Sequence, residues 1–104
     1  MSKPSMFVKL TAQPGQRDQV VAAFDRMLVS VAEEPGTEVY SIHLDDADED
    51  VVWIFEMYAD QDALATHSSS PAMATLITEI GPLLGGDAAV MSSTTAHAGK
   101  GLAH

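Results

Sequence analysis

The sequence has no cysteine, which removes disulfides, thiolate zinc sites and cysteine nucleophiles from consideration. Basic residues are scarce. Five Lys and Arg stand against fifteen Asp and Glu, a formal charge of −10 that repels phosphate backbones and excludes nucleic acid as an expected partner. No apolar run approaches the roughly 18 residues that a membrane helix needs. Met1-Ser2-Lys3-Pro4 is not followed by a long apolar stretch, so a soluble cytoplasmic domain without a signal peptide is expected. Glycine-rich phosphate loops, a Ser-His-Asp order and lysine within an apolar run are also missing. No organic cofactor is therefore expected. What is present is 104 residues, 46% of them hydrophobic, enough for one domain with one core.

The pattern along the chain alternates between periods of two and of 3.6. Met6 to Gln13 reads as a strand stopped by Pro14-Gly15. Gln16 to Ala32 reads as one amphipathic helix with the stripe Val20, Phe24, Met27, Leu28 and Val31, ended by Pro35. Glu38 to Leu44 is a second strand with Tyr40, Ile42 and Leu44 on one face. Asp45 to Asp50 is an acidic hairpin turn, and Val51 to Tyr58 is a third strand. Asp60 caps a short helix reaching His67, and Ser70-Pro71 opens another with Met73, Leu76, Ile77 and Ile80 as its stripe. Gly85-Gly86-Asp87 reads as a turn before a weak strand from Ala88 to Ala96. Residues 5–96 are expected to form the domain and 97–104 a mobile tail.

The order is β-α-β-β-α-β with the second helical region broken in two. It predicts a ferredoxin-like α+β fold, a four-stranded antiparallel sheet with helices on one face. A half-solvated strand should alternate apolar with polar, yet Val51 to Tyr58 is apolar on both faces apart from Glu56. The face away from the helices therefore calls for an apolar cover, and a second copy of the chain is the simplest one.

Asp46-x-Asp48-x-Asp50 has the opening of a calcium loop, but Val51 stands where that loop needs glycine and Met57 where it needs glutamate, so a solvated turn is the expectation. Of the histidines, His97 and His104 fall in the expected tail, and no pair has metal-site spacing on a helix. No metal site is expected. His43 is either a partly exposed strand residue or a pocket residue. His67 either interacts with its own helix end or works as a base. Glu56 is an acid in an apolar strand and is costly to bury unless paired or protonated, and His67 could reach it. Trp53 and Phe55 suit a core or interface. The Tyr58 phenol needs a partner if buried and suits a pocket.

Glu34-Pro35-Gly36-Thr37, Tyr40, Trp53-Ile54-Phe55-Glu56-Met57-Tyr58 and Asp60-x-x-Ala63-Leu64-x-x-His67, preceded by Gln13-Pro14-Gly15, resemble the antibiotic biosynthesis monooxygenase family over about residues 6 to 95. The resemblance implies a dimeric α/β barrel. It implies cofactor-free oxygenation of a small aromatic phenol, quinol or anthrone-like substrate by O2 in an apolar pocket. His67 matches the family's recurrent histidine, Glu56 and Tyr58 its Glu-x-aromatic pair and Tyr40 the aromatic after the glycine turn; His67, Glu56 and Tyr58 are the candidate catalytic residues, and Tyr40, Trp53 and His43 the candidate substrate contacts. In the expected mechanism His67, oriented by Glu56, helps remove a substrate proton. Haem-degrading relatives use Asn, Trp and His, whereas this chain has no asparagine and carries Tyr58 at the Trp position, which points away from haem. The alternatives are a non-catalytic small-ligand-binding or interaction module on the same barrel and, less favoured by the acidic composition, an isomerase for an anionic metabolite.

Overall fold

The computed structural model describes residues 3–102, with the side chains of residues 86–88 left aside. Strand β1 (Lys3–Ala12) leads into helices α1 (Arg17–Ala23) and α2 (Asp25–Ala32), then strands β2 (Thr37–Leu44) and β3 (Val51–Tyr58). Helices α3 (Gln61–Ser68) and α4 (Pro71–Ile80), a 3-10 turn (Gly81–Leu83) and strand β4 (Leu84–Ala96) complete the order. The sheet runs β2-β3-β1-β4 with every pairing antiparallel, the ferredoxin-like arrangement, and it is open in the single chain. No helix among the described residues is long and apolar enough to cross a membrane.

Three expectations are corrected. The helix expected over Gln16 to Ala32 is two helices divided at Phe24, whose N–H turns back to Val21 O at 3.0 Å. No proline or glycine marks the break. The tightened turn accompanies the burial of Val20, Phe24 and Met27 in one core. Strand β1 begins at Lys3 rather than Met6, because β4 is long enough to pair Lys3 with Ala96. Gly85-Gly86-Asp87 is not a turn before β4 but lies within it. Leu84 pairs with Ala12 and Ala89 with Leu10, so the glycine segment bulges against β1. Residues 97–102 form neither helix nor strand, and His104 lies outside the described residues.

Register decides which residues meet the helices. Val8, Leu10, Val52 and Ile54 pack with Val20, Phe24, Met27, Leu76 and Ile80 to form the core. By alternation Glu56 and Tyr58 belong to the same helix-facing side, and Tyr40 sits opposite Glu56. The other side carries Phe7, Trp53, Phe55 and Val90, of which Phe7, Trp53 and Val90 are exposed; the Phe7 and Phe55 rings lie 4.9 Å apart. The hairpin turn is held by Asp45, which accepts from the N–H groups of Ala47 and Asp48 and from Trp53 Nε1. Arg17 donates to the carbonyls of Asp45 and Asp48. The acidic run is thus an organised turn, and among the described residues no group of three or more His, Asp or Glu could hold a metal.

The caps follow the sequence. Asp60 accepts from Ala63 N at 2.8 Å to start α3, and Ser70 accepts from Met73 N at 3.2 Å to start α4. Helix α3 lies close against the turn before β2. A Cβ added to Gly36 would come 2.5 Å from Ala63 Cβ, and Gly36 O accepts from Ala59 N at 2.8 Å. Gly36 is glycine because backbone and helix touch there. Gly36→Ala is expected to cost about 1–3 kcal/mol in chemical denaturation. Adding Ala63→Gly should recover a substantial part of that loss. Equal stability of Gly36→Ala and the parent would refute the close-approach argument.

Candidate functional site

The site begins with a conflict in β3. Glu56 occupies the helix-facing side of an interior strand, where its neighbours Ile54 and Tyr58 are buried. Glu56 itself is only 6% exposed. An isolated ionised carboxylate there would be expensive. Burial pushes its pKa upward, against the lowering effects of the Tyr58 hydroxyl and His67. Tyr58 Oη donates to Glu56 Oε1 at 2.5 Å, so the fully buried phenol has its partner. Burial and the neighbouring Glu56 raise the Tyr58 phenol well above its ordinary range, which keeps it a neutral donor.

Helix α3 brings His67 beside these groups from its last turn. The imidazole is 1% exposed. Its ring centroid lies 5.2 Å from that of Tyr40 and 5.4 Å from that of Tyr58. The hydrogen bond on Nδ1 goes to Glu34 Oε1 at 3.0 Å, whereas the closest approach to Glu56 is from Nε2 to Oε1 at 4.0 Å. The expected orientation of His67 by Glu56 is therefore supplied instead by Glu34, from the turn between α2 and β2. His67 Nε2 is buried with no hydrogen-bond partner among the described residues, a condition that costs about 1–3 kcal/mol when nothing offsets it. Glu34 also accepts from Thr37 Oγ1 at 2.8 Å and Ser30 Oγ at 3.2 Å. Burial raises its pKa, but the donors Thr37, His67 and Ser30 outweigh burial and hold it below the usual carboxylate value.

A cavity of about 270 Å³ lies between the sheet and helix α4. Tyr40 and Glu56 supply polar groups to a lining that is otherwise apolar, including Ile54, Met73, Leu76 and Met91. Ile77 and Met91 are exposed and mark its mouth between α4 and β4. Tyr40 keeps its proton, because burial first, then the charges of Glu56 and Glu34, push its phenol upward. Of the expected site residues, the structure gathers His67, Glu56, Tyr58 and Tyr40. Only Glu56 and Tyr40 of these line the cavity. Trp53 and His43 lie together on the opposite face, where they pair across β2 and β3; both are exposed, and His43 is engaged by Ser41 Oγ at 2.8 Å. A second hollow of about 410 Å³, beside Pro4, Met6, Gln61, Leu64 and Ser93, has no titratable side chain in its lining. Glu34 is the member that sequence reading missed. Its signal was an acid at a helix end immediately before Pro35-Gly36.

The two carboxyls have opposite pH signatures. The folded Glu34 pKa is lowered, so its contribution is present above the unfolded value and disappears as pH falls through the folded one. That of Glu56 is raised, so stability declines as pH rises from the unfolded value through the folded one. Relative to the parent, Glu34→Gln is expected to be more destabilised at pH 7 than in acid. Glu56→Gln should gain relative stability between pH 4 and pH 7. Denaturation at several pH values checks both, and parallel curves for parent and variants would contradict the assignment.

The sequence profile of the antibiotic biosynthesis monooxygenase family matches residues 5–79. Among solved structures, a Caulobacter crescentus protein described as a candidate antibiotic biosynthesis monooxygenase is 26% identical with a TM-score of 0.85, over 93% of this chain and 92% of that one. A Chloroflexus aurantiacus protein described in the same way is 25% identical with a TM-score of 0.79, over 97% and 99% of the two chains. A protein of unknown function from Nitrosomonas europaea shares the fold at 23% identity and a TM-score of 0.82, over 100% and 98%. No curated protein matches. The profile match runs from the first strand to the end of the last long helix, and the chain belongs to the antibiotic biosynthesis monooxygenase family.

Proposed function

We propose that the protein is a cofactor-independent monooxygenase for a small aromatic phenol, quinol or anthrone-like compound. The observation that carries this reading is a buried carboxyl, Glu56, set in the wall of an otherwise apolar cavity. Such a cavity binds an aromatic body by burial of apolar surface. Its volume, about 270 Å³, is near the small end of the range for ligand pockets and favours a compact ring system. A carboxyl whose pKa is raised by burial is a better proton acceptor than an exposed one once ionised. Tyr40, kept protonated, offers a hydrogen bond to a substrate oxygen.

For an anthrone-like substrate, the methylene between the rings gives a proton to Glu56 carboxylate. The resulting anion transfers electrons to O2 and forms a carbon–oxygen bond, giving a hydroperoxide after protonation. Loss of water leaves a carbonyl. One oxygen atom of O2 enters the product and the other leaves as water, with all four electrons coming from the substrate. The protein's part is to hold the anion out of water and to manage one proton.

Metal-stripped protein incubated with anthrones and quinols under labelled O2 is expected to consume O2 and place one labelled atom in the product. Glu56→Gln should slow this by about 10²-fold or more with folding intact. Undiminished turnover by Glu56→Gln would overturn the role of that residue. Saturable binding of the panel without O2 uptake would favour the ligand-binding module instead.

The second part of the reading is a homodimer through the face opposite the helices. Phe7, Trp53 and Val90 are exposed there around a tilted Phe7–Phe55 pair on an open sheet, with Lys9 between Trp53 and Val90 and its ammonium 5.6 Å from the Trp53 ring centroid. A second copy presents the same surface and covers it. Phe7→Glu, at an exposed position, should convert a dimer to a monomer in sedimentation while retaining the circular dichroism of the parent. A parent that sediments as a monomer at micromolar concentration would rule the interface out.

A further inference from the structure

We propose that Glu34, His67 and Glu56 form a proton relay behind the cavity. In it Glu34 fixes the imidazole as the Nδ1–H tautomer, and His67 Nε2 receives the proton that Glu56 takes from a ligand. The ligand step rests on the oxygenase reading above; the arrangement of the three residues does not.

The tautomer follows from what Glu34 already accepts. Thr37 Oγ1 and His67 Nδ1 both approach Oε1, at 2.8 and 3.0 Å, and Ser30 Oγ approaches Oε2 at 3.2 Å. A carboxyl surrounded by three donors is an ionised acceptor, so Nδ1 must carry the hydrogen. The neutral ring then has a bare lone pair on Nε2. That nitrogen is buried, has no hydrogen-bond partner among the described residues, and lies 4.0 Å from Glu56 Oε1. A bare, buried acceptor at this distance is placed to receive a proton that Glu56 has taken up. The phenols of Tyr40 and Tyr58 also face the ring; both stay neutral, and Tyr58 Oη is committed to Glu56.

The proton balance is simple. The ligand's C–H or O–H bond breaks and the proton binds a Glu56 oxygen. That O–H bond then breaks as an N–H bond forms at His67 Nε2. The imidazolium is held against the Glu34 carboxylate, which stabilises its charge in the manner of the third member of a hydrolase triad. Glu56 is returned to carboxylate, and the stored proton goes back to the peroxide formed from O2. A gap of 4.0 Å exceeds hydrogen-bond reach without a ligand, and a ligand seated against Glu56 is expected to close it. Glu34 touches no substrate in this scheme and is a positioning residue. Gly36, by admitting Ala63 at close range, brings α3 near enough for the contact.

The test uses ¹⁵N magnetic resonance of the His67 ring in the full-length, ligand-free protein. The parent is expected to show a protonated Nδ1 and an unprotonated Nε2 at neutral pH. Glu34→Ala should move the ring toward the Nε2–H form, and Glu34→Asp, which keeps a carboxylate, should restore Nδ1–H. A parent ring protonated at Nε2 alone would overturn the relay, and so would a folded Glu34→Ala with an unchanged tautomer. If Glu34→Ala does not fold, the parent tautomer decides alone. In O2 uptake with a quinol, Glu34→Gln should displace the pH profile by about one unit, since it weakens the partner of the imidazolium. A profile that keeps its position while only its height changes would show a merely structural role. Absence of uptake by the parent would count against the oxygenase reading, while the ring tautomer would still judge the relay.

Discussion

The structure turns on one carboxyl in the wrong solvent. Glu56 sits on the core-facing side of β3, and nothing in strand geometry allows it to escape to water there. An acid so placed must be hydrogen-bonded, protonated or paired. Tyr58 provides the hydrogen bond, and His67 provides a basic nitrogen within 4.0 Å. The arrangement around Glu56 then imposes its own demands. His67 must be delivered by a helix, that helix must come close, and its imidazole must be held in one orientation. The Asp60 cap, the missing Cβ at Gly36 and the Glu34 carboxylate meet those demands in turn.

The same constraint connects site and cavity. On the helix side the sheet is packed by Val20, Phe24, Met27, Leu76 and Ile80, but α4 leaves space over β4. Glu56 and Tyr40 lie at the border of that space, with His67 and Tyr58 behind them. A polar cluster is therefore presented to an apolar hollow through only two side chains. Water is disfavoured by the lining, and the charge that chemistry would create is answered by groups already fixed in position.

Much of the fold could be read from residue order, because its signals are local. Val51 to Tyr58 was bounded by an acidic turn and Asp60, and Ser70-Pro71 announced α4. The break at Phe24 was not legible, since no residue there resists helix and only the packing shows it. The glycines before β4 did mark an irregularity, but a bulge inside a strand rather than a turn outside it, a distinction set by the partner β1. At the site, alternation puts Glu56 and Tyr58 on one face, as the register has them, and the turn back at Asp60 lets His67 approach that face. Alternation could not say which face the helices would cover, because β3 is apolar on both. Trp53 and His43 were placed near the site for that reason, and they lie on the other side of the sheet. Glu34 was missed because its partner is 33 residues away, a contact created by the approach of α3.

The most direct measurement is a structure of the protein with an anthrone or quinol bound under anaerobic conditions. The ring system should occupy the cavity between the sheet and α4, with its acidic C–H or O–H within hydrogen-bond or near-attack reach of a Glu56 oxygen. A ligand bound instead in the hollow beside Gln61 and Ser93, or on the Phe7–Trp53 face, would contradict the claim that Glu56 is where the chemistry begins.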